Sequence, residues 1–251
     1  MKKPKKIILD GDIIAWKAAF VAEKEGVMSI DGLVEGLIDK WTPDDVDEVK
    51  IALSCTSETN FRKAVYPGYK ENRVDVVKPE FLGDVFVTLN TRHDCLMYPT
   101  LEADDILGLH ASSGDAISVS LDKDLKGVHG WYYNPDKNDE PYYITKEEAE
   151  LWFCIQWMAG DSTDGIPGLW RIGSKTAVKL IDEWDTDDWH YKIQEMYAEG
   201  KHSPENKHGV DDMALAMARC VRILQDGEYD METQEITLWN PKLGYKKEQE
   251  I

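Results

Sequence analysis

Four short acidic motifs punctuate this 251-residue chain: Asp10-Gly11-Asp12, Glu102-Ala103-Asp104-Asp105, Asp122-Lys123-Asp124 and Asp161-Ser162-Thr163-Asp164. Any one of them alone reads equally well as ordinary structure. Carboxylates at a helix start favour its positive end, and Asp beside Gly favours turns. Jointly they say more, because each lies where a strand should end or a helix begin, flanked by apolar residues that bury the nearby backbone. Carboxylates converging on one shielded place repel and cannot all stay ionised without compensation. Hard divalent cations supply it: Mg²⁺ takes oxygen ligands, keeps several waters and is usually held by carboxylates plus substrate phosphate. Two such ions about 4 Å apart generate an attacking hydroxide and stabilise a leaving oxygen, which is phosphodiester hydrolysis.

The elements that must position these acids are legible in outline. Lys6-Ile7-Ile8-Leu9 is short, apolar and β-branched, and reads as a buried strand that ends in a loop at Asp10-Gly11-Asp12, with a helix following through Ala22. Val49 to Leu53 and Ala116 to Leu121 repeat the strand pattern, the second ending at Asp122. Strands separated by helical stretches predict a mostly parallel sheet with helices on both faces and a ligand site outside the carboxyl ends of the strands. After about residue 145 the composition turns helical. Glu147 to Ala159, Ser174 to Trp184, Asp188 to Glu199 and Asp211 to Gln225 are expected as helices, with a polar loop at Ser203 to His208 and a frayed tail from Lys246. There is no internal repeat.

Bulk composition sets limits. A 42% hydrophobic, 31% charged chain is ordinary for a globular protein, and no apolar run approaches the ~20 residues of a membrane span. The basic start, Lys2 to Lys6, runs into Asp10, Asp12 and Lys17 rather than an apolar segment, so no secretory signal is expected and the compartment is the cytoplasm. Cys55, Cys95, Cys154 and Cys220 lack CxxC spacing, which argues for reduced thiols and against zinc or disulfides. The nine Trp and six His, His110 among them, show no metal spacing and receive no role.

A net charge of −19 opposes binding to a polyanion. Two basic islands answer that objection: Phe61 to Lys78 carries Arg62, Lys63, Lys70, Arg73 and Lys78, and Gly165 to Lys179 carries Arg171, Lys175 and Lys179 with no acid. Bound divalent ions offset part of the remaining charge.

In order and spacing the motifs resemble the 5′ nucleases: flap endonucleases, the 5′ nuclease domain of bacterial DNA polymerase I and bacteriophage 5′-3′ exonucleases. The resemblance runs from about Ile7 to Ile181. It rests on the four acidic motifs, on Asn60-Phe61-Arg62-Lys63 followed by Tyr66-Pro67-Gly68-Tyr69-Lys70-Glu71-Asn72-Arg73, and on Gly160 to Gly168. It implies a PIN-like α/β core at 1–145 with a helical arch at about 61–92. A helical region at 146–251 would carry a helix-three-turn-helix at about 160–184. It also implies a two-metal hydrolase, a 5′-3′ exonuclease and flap endonuclease with possible RNase H-type action on RNA primers, serving phage DNA replication or host DNA breakdown.

By the same resemblance Asp10, Glu102, Asp104, Asp105, Asp122, Asp124, Asp161 and Asp164 look like metal-site acids. Asp12 joins them, although the family often has a neutral residue there. Lys70 and Arg73, at i and i+3 on one helix face, would meet the scissile phosphate, and Tyr69 would offer a stacking face. Arg62 and Lys63 belong to the nucleic-acid-binding set. At the hairpin, Gly168 and Gly173 would let backbone approach phosphate, Ser174 would cap the next helix, and Lys175 and Lys179 would share a face toward duplex. The expected cofactors are two Mg²⁺ with Mn²⁺ able to substitute, and a K⁺ at the hairpin, where Trp170-Arg171 replaces a smaller pair. The expected partner is duplex DNA with a 5′ end or flap, or an RNA–DNA hybrid, bound by a monomer in the infected host.

One position departs from the pattern. The family commonly has Asp six residues before its Phe-Arg pair, where this chain has Cys55, so a first ion would bind more weakly or through an extra water. That departure motivates the alternative of an inactive DNA-junction binding protein. A PIN-type ribonuclease is a further alternative, though it is not expected to carry the 165–179 duplex clamp.

Overall fold

The computed structural model describes residues 2–25, 29–56, 58–73, 75–198 and 201–241. Glu199 and the tail from Lys246 lie outside the described residues. In chain order the elements are β1 (Lys6–Asp10), α1 (Gly11–Glu25), α2 (Ile30–Trp41), β2 (Glu48–Ala52), α3 (Phe61–Val65), α4 (Leu82–Arg92), β3 (Cys95–Leu96), α5 (Ala103–Ser113) and β4 (Ile117–Val119). They continue with β5 (Gly130–Tyr133), β6 (Tyr142–Ile144), α6 (Lys146–Ala159), β7 (Gly160–Asp161), β8 (Ile166–Pro167), α7 (Ser174–Asp182), α8 (Trp189–Ala198) and α9 (Met213–Val221). The chain divides into two compact units, one of residues 1–60, 76–149 and 223–235, the other of 61–75, 150–222 and 236–251.

The first unit is built on a six-stranded sheet of order β3-β2-β1-β4-β5-β6, parallel except for β6. Ile7, Ile8 and Leu9 of the central strand are wholly buried, as the continuous apolar run required. Ala15, Ala18 and Ala19 of α1, Val34 and Trp41 of α2, and Val85 and Leu89 of α4 pack into one core with the strands. Helix α5 lies against β1, β2, β4 and β5. The order places the switch between β1 and β4, the position where open α/β sheets leave a crevice at their carboxyl ends. No loop follows β1, since α1 starts at Gly11 directly after Asp10. A Cβ on Gly11 would come within 2.5 Å of the Ile51 and Leu53 side chains, so only glycine lets the helix begin this close to β2. The antiparallel edge β5–β6 was not foreseen.

The second unit is helical around a two-stranded ladder of β7 and β8. Its core joins Tyr66 and Tyr69 to Phe153, Trp157 and Met158 of α6, Ala177 and Ile181 of α7, Ile193 and Tyr197 of α8, and Met217 of α9. Trp157 Nε1 donates to Ala214 O at 2.8 Å, and Tyr197 Oη donates to Trp157 O at 2.6 Å, so these two buried aromatics satisfy their polar atoms internally. The expected helix to Gln225 stops at Val221. The backbone then extends into the first unit, to which Leu224 and its acceptor Asp105 both belong. The stretch 61–92 is divided: α3 packs on α9 in the second unit, whereas α4 packs on α1 and α2 in the first. Among the described residues, no helix is long and apolar enough to cross a membrane.

Candidate active site

Parallel pairing carries the ends of β1, β2 and β4 to one edge of the first unit, and the acids follow. Asp10 closes β1 and is 2% exposed. Its Oδ1 accepts from Ile13 N at 3.1 Å and its Oδ2 from Ser120 Oγ at 2.7 Å. The same Ser120 Oγ accepts from Asp122 N at 3.0 Å, so one buried hydroxyl couples the β1 acid to the acid after β4. Asp122 Oδ1 in turn accepts from Asp124 N at 2.8 Å, and Asp124 pairs with Lys123. Tyr132 Oη donates to the carbonyls of Ser120 and Asp122 at 3.1 and 3.0 Å, and Asn134 Nδ2 donates to Leu121 O. The turn that presents Asp122 is therefore held from beneath by β5. Burial is the largest reason that the Tyr132 hydroxyl is pushed up to about 12, with Asp122 and Asp104 as further causes.

The β2 end contributes through Ser54. Its N–H donates to Asp12 Oδ1 at 3.1 Å, and its Oγ accepts from Ala103 N at 2.9 Å at the start of α5. Cys55 N donates to Leu101 O. Burial raises the Cys55 thiol above its ordinary value, and the charges of Glu102, Asp105 and Asp12 add to the effect. Cys55 thus stands within the field of the acids, at the position where the family commonly has another carboxylate. Asp105 requires a correction: it is fully buried, with Oδ2 accepting from Glu102 N at 3.1 Å and Oδ1 from Leu224 N at 3.1 Å. Both oxygens serve backbone donors, so Asp105 shapes the start of α5.

Burial pushes the Asp10 carboxyl up from 3.8 to about 7, reinforced by Asp12 and Asp122 and opposed by the hydrogen bonds from Ser120 and Ile13. A carboxyl whose folded pKa exceeds its unfolded one holds its proton longer in the native state. Stability therefore falls as pH rises from about 4 to about 7, and the deficit is complete above 7. In chelator, wild type is expected to lose a few kcal/mol relative to Asp10→Asn between pH 4.5 and pH 8. Urea unfolding of both proteins across that range checks it, and a wild-type/variant difference that stays flat with pH would contradict it.

In the second unit, two motifs distant in sequence form one module. Lys70 N donates to Asp164 O at 2.7 Å, Asn72 Nδ2 to Ser162 O at 2.9 Å, and Arg73 Nε to Thr163 O at 3.1 Å. Arg73 pairs with Asp164 Oδ1, while Lys70 Nζ is 3.7 Å and Tyr69 Oη 3.2 Å from Asp164 Oδ2. Asp161 Oδ1 accepts from Thr163 N and orders the same loop. Lys70 and Arg73 do not share an α-helical face. Lys70 has a left-handed φ of 55° and Arg73 closes a short 3₁₀ turn, so the two cations converge through Asp164 instead.

Further corrections concern the residues assigned to nucleic acid. Tyr69 is 2% exposed and offers no stacking face, because its ring is core and its hydroxyl serves Asp164. Arg62 is 3% exposed and donates to Cys220 O at 3.0 Å and Arg222 O at 2.7 Å, which ties α3 to the end of α9. Arg62→Ala is expected to cost about 2–4 kcal/mol of stability by stranding buried carbonyls. Denaturant unfolding measures the loss, and wild-type stability would return Arg62 to a binding role. Gly168 is explained by its own chain: a Cβ there would lie 2.2 Å from the Ala159 carbonyl carbon across the β7–β8 ladder. Ser174 is the first residue of α7 rather than its cap. Gly173 holds the cap position without a side-chain bond, and a Cβ on it would meet nothing within 4 Å. Lys63 is half-buried on α3, and Lys175 and Lys179 are exposed on α7 as expected.

Ser54, Ser120, Tyr132 and Asn134 were missed. Only the closeness of Ser120 to Asp122 in the chain could have signalled any of them.

No family model matches the chain. It is 30% identical over 223 residues to the exonuclease of Escherichia phage T7, across 76% of this chain and 74% of that protein. It is 28% identical over 222 residues to the exodeoxyribonuclease of Enterobacteria phage T3, with the same coverage. DNA polymerase I of Bacillus subtilis is 26% identical over 285 aligned positions, across 100% of this chain but 31% of the polymerase. Among solved structures, T5 5′-exonuclease with bound zinc superposes with a TM-score of 0.56 at 17% identity, covering 86% of this chain and 85% of that one. The catalytic core of Rad2 in complex with DNA substrate gives 0.54 at 12% identity, covering 96% and 84%. At these identities the structural likeness speaks to the fold.

Proposed function

The chain belongs to the 5′ nuclease family, and from that premise we propose that it hydrolyses phosphodiester bonds at 5′ ends and 5′ flaps of duplex DNA. Cleavage would run 5′ to 3′ and extend to RNA primers in RNA–DNA hybrids. The observation that carries the reading is the buried Asp10 joined through Ser120 to Asp122, with Asp12 close enough to hold its proton on.

The donor set fits hard divalent cations, since every candidate ligand is an oxygen and the cluster carries more charge than its hydrogen bonds neutralise. Asp10, Asp12, Glu102, Asp104, Asp122 and Asp124 would hold two Mg²⁺, or Mn²⁺ in their place. Asp161 and Asp164 are assigned to the same role on family membership. When bound, such ions supply Lewis-acid activation of water and relieve charge on the leaving oxygen.

The chain's own residues do the rest. Ser120 and Ser54 fix the carboxylates of Asp10 and Asp12, Tyr132 and Asn134 hold the Asp122 turn, and Lys70 and Arg73 present two cations to the scissile phosphate. Residues 1–145 supply the chemistry and residues 146–251 the grip on duplex. The uncapped start of α7 at Gly173 leaves backbone N–H groups for a phosphate, with Lys63, Lys175 and Lys179 as further backbone contacts and a K⁺ at the hairpin. The protein acts as a monomer in the cytoplasm of the infected host.

A cleavage assay on 5′-flap, nicked and RNA-primed duplexes with Mg²⁺ and with chelator tests this. Product only with metal, released from the 5′ side, is expected. Metal-independent binding without cleavage would favour the junction-binding alternative that Cys55 raises, and cleavage confined to single-stranded RNA would favour a PIN-type ribonuclease.

A further inference from the structure

Away from the acidic cluster, the second unit gathers three residues that the proposed chemistry does not use. Glu150 and Cys154 stand at i and i+4 on one face of α6, and His190 is the second residue of α8. A carboxylate oxygen of Glu150, Sγ of Cys154 and a ring nitrogen of His190 all lie within 4.8 Å of one another. His190 Nε2 is 2.5 Å from Glu150 Oε1. Cys154 is wholly buried, while the side chains of His190 and Glu150 are 14% and 37% exposed. The sulfur therefore sits at the closed end of the group and the carboxylate at its open end, which gives an ion a way in. Rings of Phe153, Trp157 and Trp239 stand edge-on to the imidazole with centroids 6.3, 6.0 and 5.3 Å away, and fix its plane.

We propose that Glu150, Cys154 and His190 form a second metal site, one that takes a borderline transition-metal cation of the zinc class and clamps α6 to α8. Thiolate and imidazole select such a cation over Mg²⁺, which prefers oxygen throughout, so this site and the carboxylate site sort different metals from the same solution. Tetrahedral zinc has bonds of about 2.0–2.3 Å, which sets its ligand atoms roughly 3.3–3.8 Å apart. The group needs only side-chain adjustment to reach that spacing. A water would complete the fourth position on the exposed Glu150 side.

On binding, the Cys154 sulfur–hydrogen bond is replaced by a sulfur–metal bond and the thiol proton goes to solvent. The proton between His190 Nε2 and Glu150 Oε1 goes to solvent or moves to Nδ1 as Nε2 takes the ion, and no electron is transferred. Burial, with help from Glu150, holds the free thiol well above its ordinary value, so the sulfur is kept from oxidation chemistry until a metal displaces its proton.

Co²⁺ titration of the full chain tests the site. The protein is stripped with chelator, saturated with Mg²⁺ so that the carboxylate site is occupied, and followed by absorption. One Co²⁺ per chain with a thiolate-to-cobalt charge-transfer band is expected, displaced by stoichiometric Zn²⁺. The band should vanish in Cys154→Ser, and Co²⁺ affinity should fall at least tenfold in His190→Gln and in Glu150→Gln. Absence of the band in wild type overturns the proposal, as does a band that survives Cys154→Ser, which would place the ion on another cysteine. Should Cys154→Ser fail to fold by circular dichroism, unchanged affinity in both other variants overturns it equally. Cleavage with Mg²⁺ alone is expected to proceed in all three folded variants, so failure here leaves the nuclease reading intact.

Discussion

Asp122→Asn is expected to lower metal-dependent cleavage about 10³-fold or more, while leaving affinity for duplex close to wild type. The size follows from what the carboxylate does. It is joined to Asp10 through Ser120, and a metal held there supplies several kcal/mol to the transition state, with each ~1.4 kcal/mol worth a factor of ten. Asparagine keeps the oxygen that accepts from Asp124 N, so the turn should persist and the loss should be chemical rather than structural. Duplex contacts are assigned to the helical unit and carry no dependence on this residue. Single-turnover cleavage of a 5′-labelled flap, set beside a binding isotherm on the same substrate, separates the two quantities. Cleavage that survives the change within tenfold would remove Asp122 from the metal site.

Lys70→Ala and Arg73→Ala are each expected to cost about 10²–10³-fold in the cleavage step, the magnitude found when one preorganised charge is withdrawn from a developing anion. The double variant should cost less than the product of the singles. Both cations meet on the Asp164 carboxylate, so removing one already loosens the other, and residues that act as a unit are not additive. Lys70 carries a further signature in its left-handed backbone. Lys70→Asn, which tolerates that conformation, should hold the turn as well as wild type does and still lose the rate. Single-turnover rates for the singles, the double and Lys70→Asn check this. Fully multiplicative losses would mean that the two cations act independently of Asp164.

The sheet and its acidic edge were legible because their signal is local. A run such as Ile7-Ile8-Leu9 that ends at an acid marks both a buried strand and its carboxyl end, and the two such ends, of β1 and β4, fall side by side once the strands pair in parallel. What could not be read depends on contacts between distant stretches. Ser54 meets the start of α5, and the Tyr66–Arg73 turn is stitched to the 162–164 loop. Arg62 and Tyr69 were placed with the DNA-facing residues on the family resemblance and, for Arg62, on the basic stretch from Phe61 to Lys78. Tertiary packing instead buries both, the one on carbonyls of α9 and its exit and the other on Asp164. Asp105 misled for the opposite reason: its motif looked uniform, yet one carboxylate of the three spends both oxygens on backbone N–H groups, one of them at Leu224. The Glu150, Cys154 and His190 group escaped a search for paired cysteines because its ligands are of three types on two helices.

Anomalous scattering from crystals soaked in Mn²⁺, at a concentration that supports cleavage, tests the core idea most directly. Two ordered ions are predicted at the strand-end crevice of the sheet, contacting carboxylates among Asp10, Asp12, Glu102, Asp104, Asp122 and Asp124. Crystals that show no ion on those oxygens, or Mn²⁺ bound only elsewhere, would contradict it.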